Sequence, residues 1–319
     1  MSRSLAFLAA LLFAAISVSS ACIASAGTSM TFTLQANRPN GEVQLSMSRG
    51  DRPNRGMMST SMAPAELAGL DLAAVRQPGQ RPIAFAYVRE AGRVDCTGTG
   101  GNSVASGQCT FTQDAAFADF LAARGIARPT AEEAYGLTVT GATRALVDAL
   151  AAQHYPKPTI DELTGVSAVG VKPGFIAELA ARGQAPKSLD DLTAFAALGV
   201  TPAYIDGLAQ AGLRGLDADK ITGLKALGVD SAFIAGLASA GYQHLTADEL
   251  EQMAALRITP AFIGSFAAAG FRNLPADTLV QLKALEVTPD FVRSLERHGL
   301  HARSADDLVK LKIAGLEDE

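Results

Sequence analysis

A pattern of 29 residues, written seven times, is the feature that most constrains how this chain folds. The copies begin at positions 113, 142, 171, 200, 229, 258 and 287 and continue to the C-terminus. Clear copies read VTPAYIDGLAQAGL from Val200, ITPAFIGSFAAAGF from Ile258 and VTPDFVRSLERHGL from Val287. Fixed self-similarity at this length is typical of repeat architectures, in which each unit packs mainly on its neighbours.

The first half of each copy predicts a short helix closed by glycine. Several copies open with Thr or Lys before Pro, as in Thr201-Pro202, which suits a cap followed by the first helical position. Apolar residues recur four, five and eight positions into the copy, on one helical face. Glycine stands at offset twelve, counted from zero, and favours the left-handed conformation that ends a helix. These helix-turn glycines are Gly125, Gly183, Gly212, Gly241, Gly270 and Gly299, with His154 in the same place in the second copy.

The second half of each copy predicts another helix with its own start signal. Offset 17 carries a capping residue in every copy except the sixth, where Pro275 stands. Three pairs fit the capping box, in which two side chains satisfy each other's backbone donors: Thr130/Glu133, Thr159/Glu162 and Thr246/Glu249. Helices of about ten residues are not stable alone, so neighbouring copies must bury each other's apolar faces. We therefore expect residues 113–319 to form an all-α array of seven helical hairpins, an α-solenoid.

The nominally exposed face of the first helices is built from small residues, among them Gly207, Gly236, Gly264 and Ala268. Small side chains let helix backbones approach closely, and close packing is one interpretation of this face. The other interpretation is a smooth, weakly polar surface for a partner, because helical solenoids commonly bind along one side.

Residues 1–26 resemble a targeting segment. Arg3 precedes an apolar run, and Ala24-Ser25-Ala26 fits an A-x-A cleavage site, so a signal peptide is predicted. A lipoprotein signal acylated at Cys22 is the alternative. No other segment has the composition of a transmembrane helix. The mature protein is expected to be periplasmic or secreted.

Residues 27–112 predict a small antiparallel β domain. Met30–Gln35 and Glu42–Met47 alternate around a Pro-Asn-Gly turn, and further strands are predicted at 83–88, 93–97 and 108–112. The Gly- and Ser-rich segment between 97 and 108 is interpreted as the turn joining the last two strands. After removal of the signal peptide, Cys96 and Cys109 are the remaining cysteines, and a pair in an exported protein predicts a disulfide bond.

Charge follows the same boundary. Residues 27–112 hold eight Lys or Arg against six Asp or Glu (8 − 6 = +2), whereas 113–319 hold 18 against 26 (18 − 26 = −8). An acidic array is a poor nucleic-acid ligand, because phosphate contacts need Lys and Arg. Arg49, Arg52 and Arg55 form a small basic cluster, read either as a solvated loop or as a contact for an acidic partner.

Motifs for catalysis are missing from the sequence. It contains no H-E-x-x-H, no phosphate-binding G-x-x-x-x-G-K-[ST], no S-x-x-K and no G-x-S-x-G. His298 and His301 are three residues apart, but Gly299 lies between them, which favours turn residues over a metal site. Carboxylates at helix starts are explained by capping and by the helix dipole. We therefore predict no catalytic, cofactor-binding or metal-binding residues.

The segment FAYVREAGRVDCTGTGG…GQCTFT, with the repeat consensus L-x-A-L-G-V-T-P-x-F, carries a family resemblance. It resembles the extracytoplasmic region of BlaR1/MecR1-like (M56 peptidase-associated) membrane proteins of Gram-negative bacteria, and stand-alone secreted proteins with the same hairpin-plus-repeats layout. The resemblance covers roughly residues 30–319 and implies a sensing or interaction role beside a membrane regulator. The chain lacks the family's zinc motif and membrane helices, so no peptidase residue is carried over.

Together these features predict an exported, non-enzymatic interaction or scaffold module, with a protein partner and no nucleic acid. A periplasmic small-ligand sensor, with a pocket where the sheet meets the repeats, is the second hypothesis. An enzyme of unrecognised type is the third.

Overall fold

The structure is a computed structural model that describes residues 30–49 and 58–315. The described residues form two compact units, one of 30–49, 58–86 and 95–111 and the other of 87–94 and 112–315. The predicted signal segment with Cys22, and the loop with Arg52 and Arg55, lie outside the described residues. The fold is mixed, with an N-terminal antiparallel sheet followed by helices, as the sequence predicts.

Seven strands form one curled sheet in the order β3-β2-β1-β7-β6-β5-β4. The strands are β1 (Met30–Gln35), β2 (Val43–Arg49), β3 (Met58–Met62), β4 (Leu67–Ala68), β5 (Arg81–Arg89), β6 (Gly92–Gly101) and β7 (Val104–Gln113). Strand β1 pairs antiparallel with both β2 and β7, with Phe32 opposite Met47 on one side and opposite Gly107 on the other. A short helix, α1 (Leu72–Arg76), precedes β5.

One face of the sheet is apolar and buried. Met30, Phe32 and Leu34 alternate with exposed residues along β1, which is the period-two pattern of a half-buried strand. Phe32 meets the edge of Phe85 at 5.0 Å between ring centroids. The opposite face carries hydroxyl and amide side chains, with Thr31 opposite Ser48 and Thr33 opposite Ser46.

The prediction of five strands was wrong, because β3 and β4 were missed. Strand β3 reads MSTSM, and Thr60 is its one β-branched or aromatic residue, so it carries little of the composition that signals a strand. The segment 97–108 was also misinterpreted as a turn, since it is strand except at Asn102 and Ser103, whose φ angles are 53° and 66°. Positive φ at both positions is the geometry of a tight hairpin turn.

Glycine residues in β6 and β7 allow these two strands to lie close together. A Cβ added to Gly98 would lie 2.1 Å from the backbone oxygen of Ser106, and one added to Gly107 would lie 2.1 Å from that of Thr97. Cys96 and Cys109 are joined by a disulfide bond across the same two strands, with 4.1 Å between their Cα atoms. Both cysteines are buried on the apolar face.

The helical unit repeats one hairpin seven times. The first helices of the copies are α2 (Ala115–Ala123), α4 (Arg144–Ala152), α6 (Pro173–Ala181), α8 (Pro202–Gln210), α10 (Ser231–Ser239), α12 (Pro260–Ala268) and α14 (Pro289–Arg297). The second helices are α3 (Ala131–Thr140), α5 (Ile160–Ala168), α7 (Leu189–Leu198), α9 (Ala218–Ala226), α11 (Ala247–Ala255), α13 (Ala276–Ala284) and α15 (Ala305–Ile313). In each of copies one to six, the second helix packs on the second helix of the next copy. The copies therefore stack in chain order.

The core runs through the stack without a break between copies. Three clusters of buried side chains cover successive parts of the array. Tyr204 and Leu216 pack against both the first and the second cluster, and Phe262 and Leu274 against both the second and the third. Each copy therefore completes the core of its neighbours, as expected for a one-dimensional array.

Residues at the start of the helical unit close its first copy. Ala91, at the turn between β5 and β6, is 2% exposed and belongs to the first core cluster. Its carbonyl accepts a hydrogen bond from the backbone N–H of Asp114 at 3.0 Å. The Glu90 carboxylate accepts from both the backbone N–H and the guanidinium of Arg144, at 2.9 and 3.1 Å. The hairpin tip thus covers a face that has no preceding copy to cover it.

Two of the small residues of the first helices lie near the next copy. A Cβ added to Gly207 would lie 4.0 Å from Cβ of Ser231, and one added to Gly236 would lie 3.4 Å from Cγ of Pro260. Both neighbours begin the first helix of the next copy. Gly264 and Ala268 remain exposed. Both distances are ordinary van der Waals contacts, so close packing does not require glycine at Gly207 or Gly236.

All six helix-turn glycines have positive φ, and Gly241 has a φ of 98°. Alanine at Gly241 is therefore expected to lower the free energy of unfolding by about 1–2 kcal/mol, the cost of a left-handed non-glycine residue. Gly264, inside α12 with open space around its Cα, is the matched control. Gly264→Ala is expected to raise stability by up to about 1 kcal/mol. Equal effects of the two changes on chemical denaturation would contradict the assigned turn.

Candidate interaction surface on the helical array

The segments that join first to second helices form one edge of the helical unit, which we call the loop edge. It comprises offsets 14 to 20 of each copy, that is 127–133, 156–162, 185–191, 214–220, 243–249, 272–278 and 301–307. Each segment leads into a second helix, and the second helices stack side by side, so the segments succeed one another along the array. The loop edge holds 13 acidic and seven basic residues (7 − 13 = −6), which is most of the array's charge of −8.

An acidic residue occupies the second position of every second helix. These seven residues are Glu132, Asp161, Asp190, Asp219, Asp248, Asp277 and Asp306, and all are exposed. A carboxylate here is stabilised by the helix dipole, which explains its local presence. Its recurrence in all seven copies also gives the loop edge a regular row of negative charge.

Lys220 forms ion pairs with one member of this row and with a second acidic residue of the next copy. The ammonium group of Lys220 lies 2.7 Å from Asp248 and 2.8 Å from Glu251 of the next copy. Hydrogen bonds to Asp248 and Glu251 raise the pKa of Lys220 well above its usual value. The three groups link copies four and five at the solvent-exposed surface, where such ion pairs contribute little stability.

Capping side chains fix the geometry of the loop edge. All three predicted capping boxes are present: Thr130/Glu133, Thr159/Glu162 and Thr246/Glu249. Ser188, Asp217 and Ser304 also accept hydrogen bonds from the third helical N–H, whereas Pro275 provides no side-chain cap. The loop edge is therefore held by local hydrogen bonds in six of its seven segments.

The capping glutamates predict a dependence of stability on pH. A hydrogen bond from the backbone N–H of Thr159, and then one from its hydroxyl, lower the pKa of Glu162. Because the folded-state pKa lies below the unfolded value, this stabilisation is full above about pH 4.5 and is lost as pH falls through the folded value. The stability difference between the natural protein and Glu162→Ala should therefore shrink on acidification, measured by urea denaturation. A difference that stays constant into the acid range would contradict the capping role.

Clefts open along the loop edge between successive copies. One cleft, of about 610 Å³, lies between copies three and four, and its lining includes Phe195, Leu208 and Leu216. A cleft of about 370 Å³ lies between copies five and six, with Tyr242 and Leu274 in its lining. A third, of about 170 Å³, lies between copies six and seven. The volume of the first is in the range of small-ligand and side-chain sites.

Two tyrosines join neighbouring copies through their hydroxyl groups. Tyr204 donates to the backbone carbonyl of Val229 at 2.8 Å, and Tyr242 donates to that of Leu274 at 2.6 Å. Burial, and then the charge of Asp230, raise the pKa of Tyr204 to about 12. Burial also raises the pKa of Tyr242. Both therefore remain hydrogen-bond donors at neutral pH.

The structure separates the residues singled out by the sequence. The six helix-turn glycines stand two residues before their loop-edge segments, so they succeed one another along the array. Cys96 and Cys109 lie in the sheet unit. His298 lies at the end of α14 with Nδ1 2.9 Å from the Ser294 carbonyl, and His301 is exposed. Within 30–49 and 58–315, no three His, Cys, Asp or Glu side chains are grouped as metal ligands.

Two features of the repeats were not predicted from the sequence. The acidic row is visible when the seven copies are aligned, but each acid had been explained by its own helix. Lysine at offset 25 stacks on the aromatic ring at offset 4 of the same copy. The pairs are Lys225 over Tyr204 at 4.5 Å, Lys283 over Phe262 at 4.8 Å and Lys312 over Phe291 at 4.8 Å.

Comparison with known sequences and structures adds no relative. In the part of the chain that the structure describes, no single helix has the length and hydropathy to cross a bilayer. Two strongly bent helix pairs reach those values only when each pair is counted together: Leu189–Leu198 with Pro202–Gln210, and Ala218–Ala226 with Ser231–Ser239. Set against protein-family models, curated proteins and solved structures, the chain gives no significant match to any of them.

Proposed function

We propose that the chain is an exported, non-enzymatic protein-interaction module whose loop edge binds an extended, cationic segment of a partner protein. The observation that carries the proposal is the coincidence of negative charge and clefts on the loop edge. Six of the array's eight net negative charges lie on the loop edge, along which the clefts open.

Charge supplies attraction and orientation in this proposal. The acidic row is exposed in all seven copies, and one of its members, Asp248, is paired with Lys220. Complementary charge speeds the encounter and selects against acidic partners, although each exposed pair contributes only about 0.2–1 kcal/mol. The helix N-termini offset part of the negative potential, so several copies have to act together.

The repeat spacing suits an extended chain. Packed helices lie about 8–10 Å apart, and an extended chain advances about 3.3 Å per residue. About three residues of a bound segment would therefore span one copy of the array. Such a segment would place an apolar side chain in a cleft and basic side chains beside the flanking carboxylates.

Export and a link to envelope signalling are part of the same proposal. The disulfide bond is compatible with an oxidising compartment outside the cytoplasm. The signal-like N-terminal sequence and the resemblance to the extracytoplasmic region of membrane regulators support a partner in the cell envelope. A protein segment from a membrane regulator is therefore the partner that we favour.

The test uses a short synthetic peptide of lysine and serine residues, titrated against the full chain at low salt. Neutralising Asp161, Asp190 and Asp219 to asparagine is expected to weaken its binding about ten-fold, as lost ion pairs predict. The control neutralises Glu42, Glu178 and Glu286, which lie off the loop edge, and so makes the same change in net charge. Equal affinity for the two triple variants, or no binding by the natural protein, would overturn the proposal.

A further inference from the structure

The residue that follows the turn glycine, at offset 13, differs in kind in one copy. The seven residues are Ile126, Tyr155, Gln184, Leu213, Tyr242, Phe271 and Leu300, and Gln184 alone is polar. The backbone is the same in every copy, since each N–H at this position donates to the carbonyl five residues earlier. For Gln184 this bond runs to Leu179 at 2.8 Å, and for Tyr242 to Leu237 at 3.0 Å. Only the side chain distinguishes copy three.

In copies one and two this side chain is almost fully buried. Ile126 is 5% exposed and Tyr155 is 9% exposed, so both are almost fully covered. Tyr242 lies in the wall of the cleft between copies five and six, and its hydroxyl bonds to Leu274 of the following copy. An aromatic side chain at offset 13 therefore has space at the copy boundary. In copy five it also has a hydrogen-bond acceptor, whereas the buried hydroxyl of Tyr155 has none among the described residues.

Gln184 does not fill the corresponding space. Its Nε2 donates to Asp206 at 2.8 Å, which ties the side chain to α8. Its Oε1 is buried and accepts no hydrogen bond from the described residues. The cleft at this boundary measures about 610 Å³, against about 370 Å³ where Tyr242 lies. An unfilled position and an unpaired acceptor thus coincide at one boundary of the array.

We infer that the cleft between copies three and four receives a tyrosine side chain from the partner segment. This inference rests on the proposed function, because the loop-edge charges bring the cationic segment to the cleft. Phe195, Leu208 and Ile221 supply apolar walls for the ring. Leu216 stands where Leu274 stands two copies later, so its carbonyl corresponds to the acceptor that Tyr242 uses.

Charge at the rim also suits an uncharged ring. The cleft lining contains two basic and two acidic residues, Lys187 and Arg214 against Asp191 and Asp217. The negative charges of Asp190 and Asp219 lie just outside this lining, one beside each wall. A tyrosine flanked by lysines would place its uncharged ring in the cleft and its neighbouring ammonium groups beside Asp190 and Asp219.

The test compares two peptides on the full chain, a lysine–serine peptide and the same peptide with a central tyrosine. Tyrosine is expected to tighten binding about ten-fold or more, the gain from burying one aromatic side chain. Gln184→Tyr, which supplies the missing side chain in cis, should abolish that gain and leave binding of the lysine–serine peptide unchanged. Leu300→Tyr, which introduces tyrosine at offset 13 of copy seven, is the control. This variant should still bind the tyrosine peptide more tightly than the lysine–serine peptide.

The outcomes distinguish failure of the proposed function from failure of the tyrosine inference. Failure of both peptides to bind would overturn the proposed function itself. Binding of the lysine–serine peptide with no gain from tyrosine, or a gain that survives in folded Gln184→Tyr, would overturn this inference and leave the proposed function standing. If Gln184→Tyr does not fold, Gln184→Leu replaces it, and the comparison of the two peptides on the natural protein still decides.

Discussion

Replacing Phe266 with alanine is expected to lower the free energy of unfolding by about 3–5 kcal/mol. Phe266, in α12, is 0% exposed and packs in the third core cluster with Val287, Phe291 and Leu295 of copy seven. Its ring also meets Phe262 edge-on at 5.1 Å. Removing it leaves a cavity between two copies that cannot collapse without moving both. Chemical denaturation followed by circular dichroism measures the change.

The position of the loss is as informative as its size. Hydrogen exchange should show lost protection in copies six and seven and little change in copies one to three, because each copy contacts mainly its neighbours. Ile313→Ala is the control, since Ile313 is 69% exposed and its truncation should change stability little. A uniform loss of protection along the array would contradict nearest-neighbour packing.

Removing the disulfide bond with Cys96→Ala and Cys109→Ala together is expected to cost about 3 kcal/mol of stability in the sheet unit. The bond closes a separation of 13 residues, for which the lost loop entropy predicts about this value. Both cysteines are buried on the apolar face, so the change also removes packed sulfur atoms. Thermal unfolding should therefore show the sheet melting before the helices in the double variant.

Reductant provides the control for this variant. It should bring the natural protein to the melting behaviour of the double variant and leave the double variant itself unchanged. Identical melting of the natural protein with and without reductant would show that the bond does not stabilise the sheet.

The helical array was predictable from the sequence because its signals are local and repeated. Capping pairs such as Thr159 with Glu162, and glycines such as Gly241, specify helix ends within a few residues. Seven copies of the same signals remove the ambiguity of any single one. The structure also places arginine and glutamate in the left-handed conformation, with φ of 54° at Arg257 and 53° at Glu286, which no local preference indicates.

The sheet was harder to predict because its pairing is non-local. Strand β3 has few strand-forming residues and is defined by its register on β2, where Val43 lies opposite Met62. Gly98 and Gly107 were interpreted as turn residues, although each permits the other's strand to approach closely. Composition alone does not distinguish these two roles of glycine.

The candidate site was only partly predictable. The sequence showed that the array is acidic, but not that the charge is concentrated on the edge where the clefts open. The alignment of the copies shows that Gln184 is polar where the other copies have an apolar or aromatic residue. Its proposed role, however, depends on the hydrogen bond to Asp206 and on the space beside it. These are tertiary facts, which need the packing of one copy on the next.

Deletion of copy five, residues 229–257, tests the modular array most directly. The deletion joins Gly228 to Ile258, and Ile258, like Val229, is 0% exposed at the start of its copy, so the boundary is restored. Amide hydrogen exchange of this variant should show a folded protein with protection retained in copies one to three and in copies six and seven. Loss of protection throughout the helical unit would show a single indivisible core and would contradict the account.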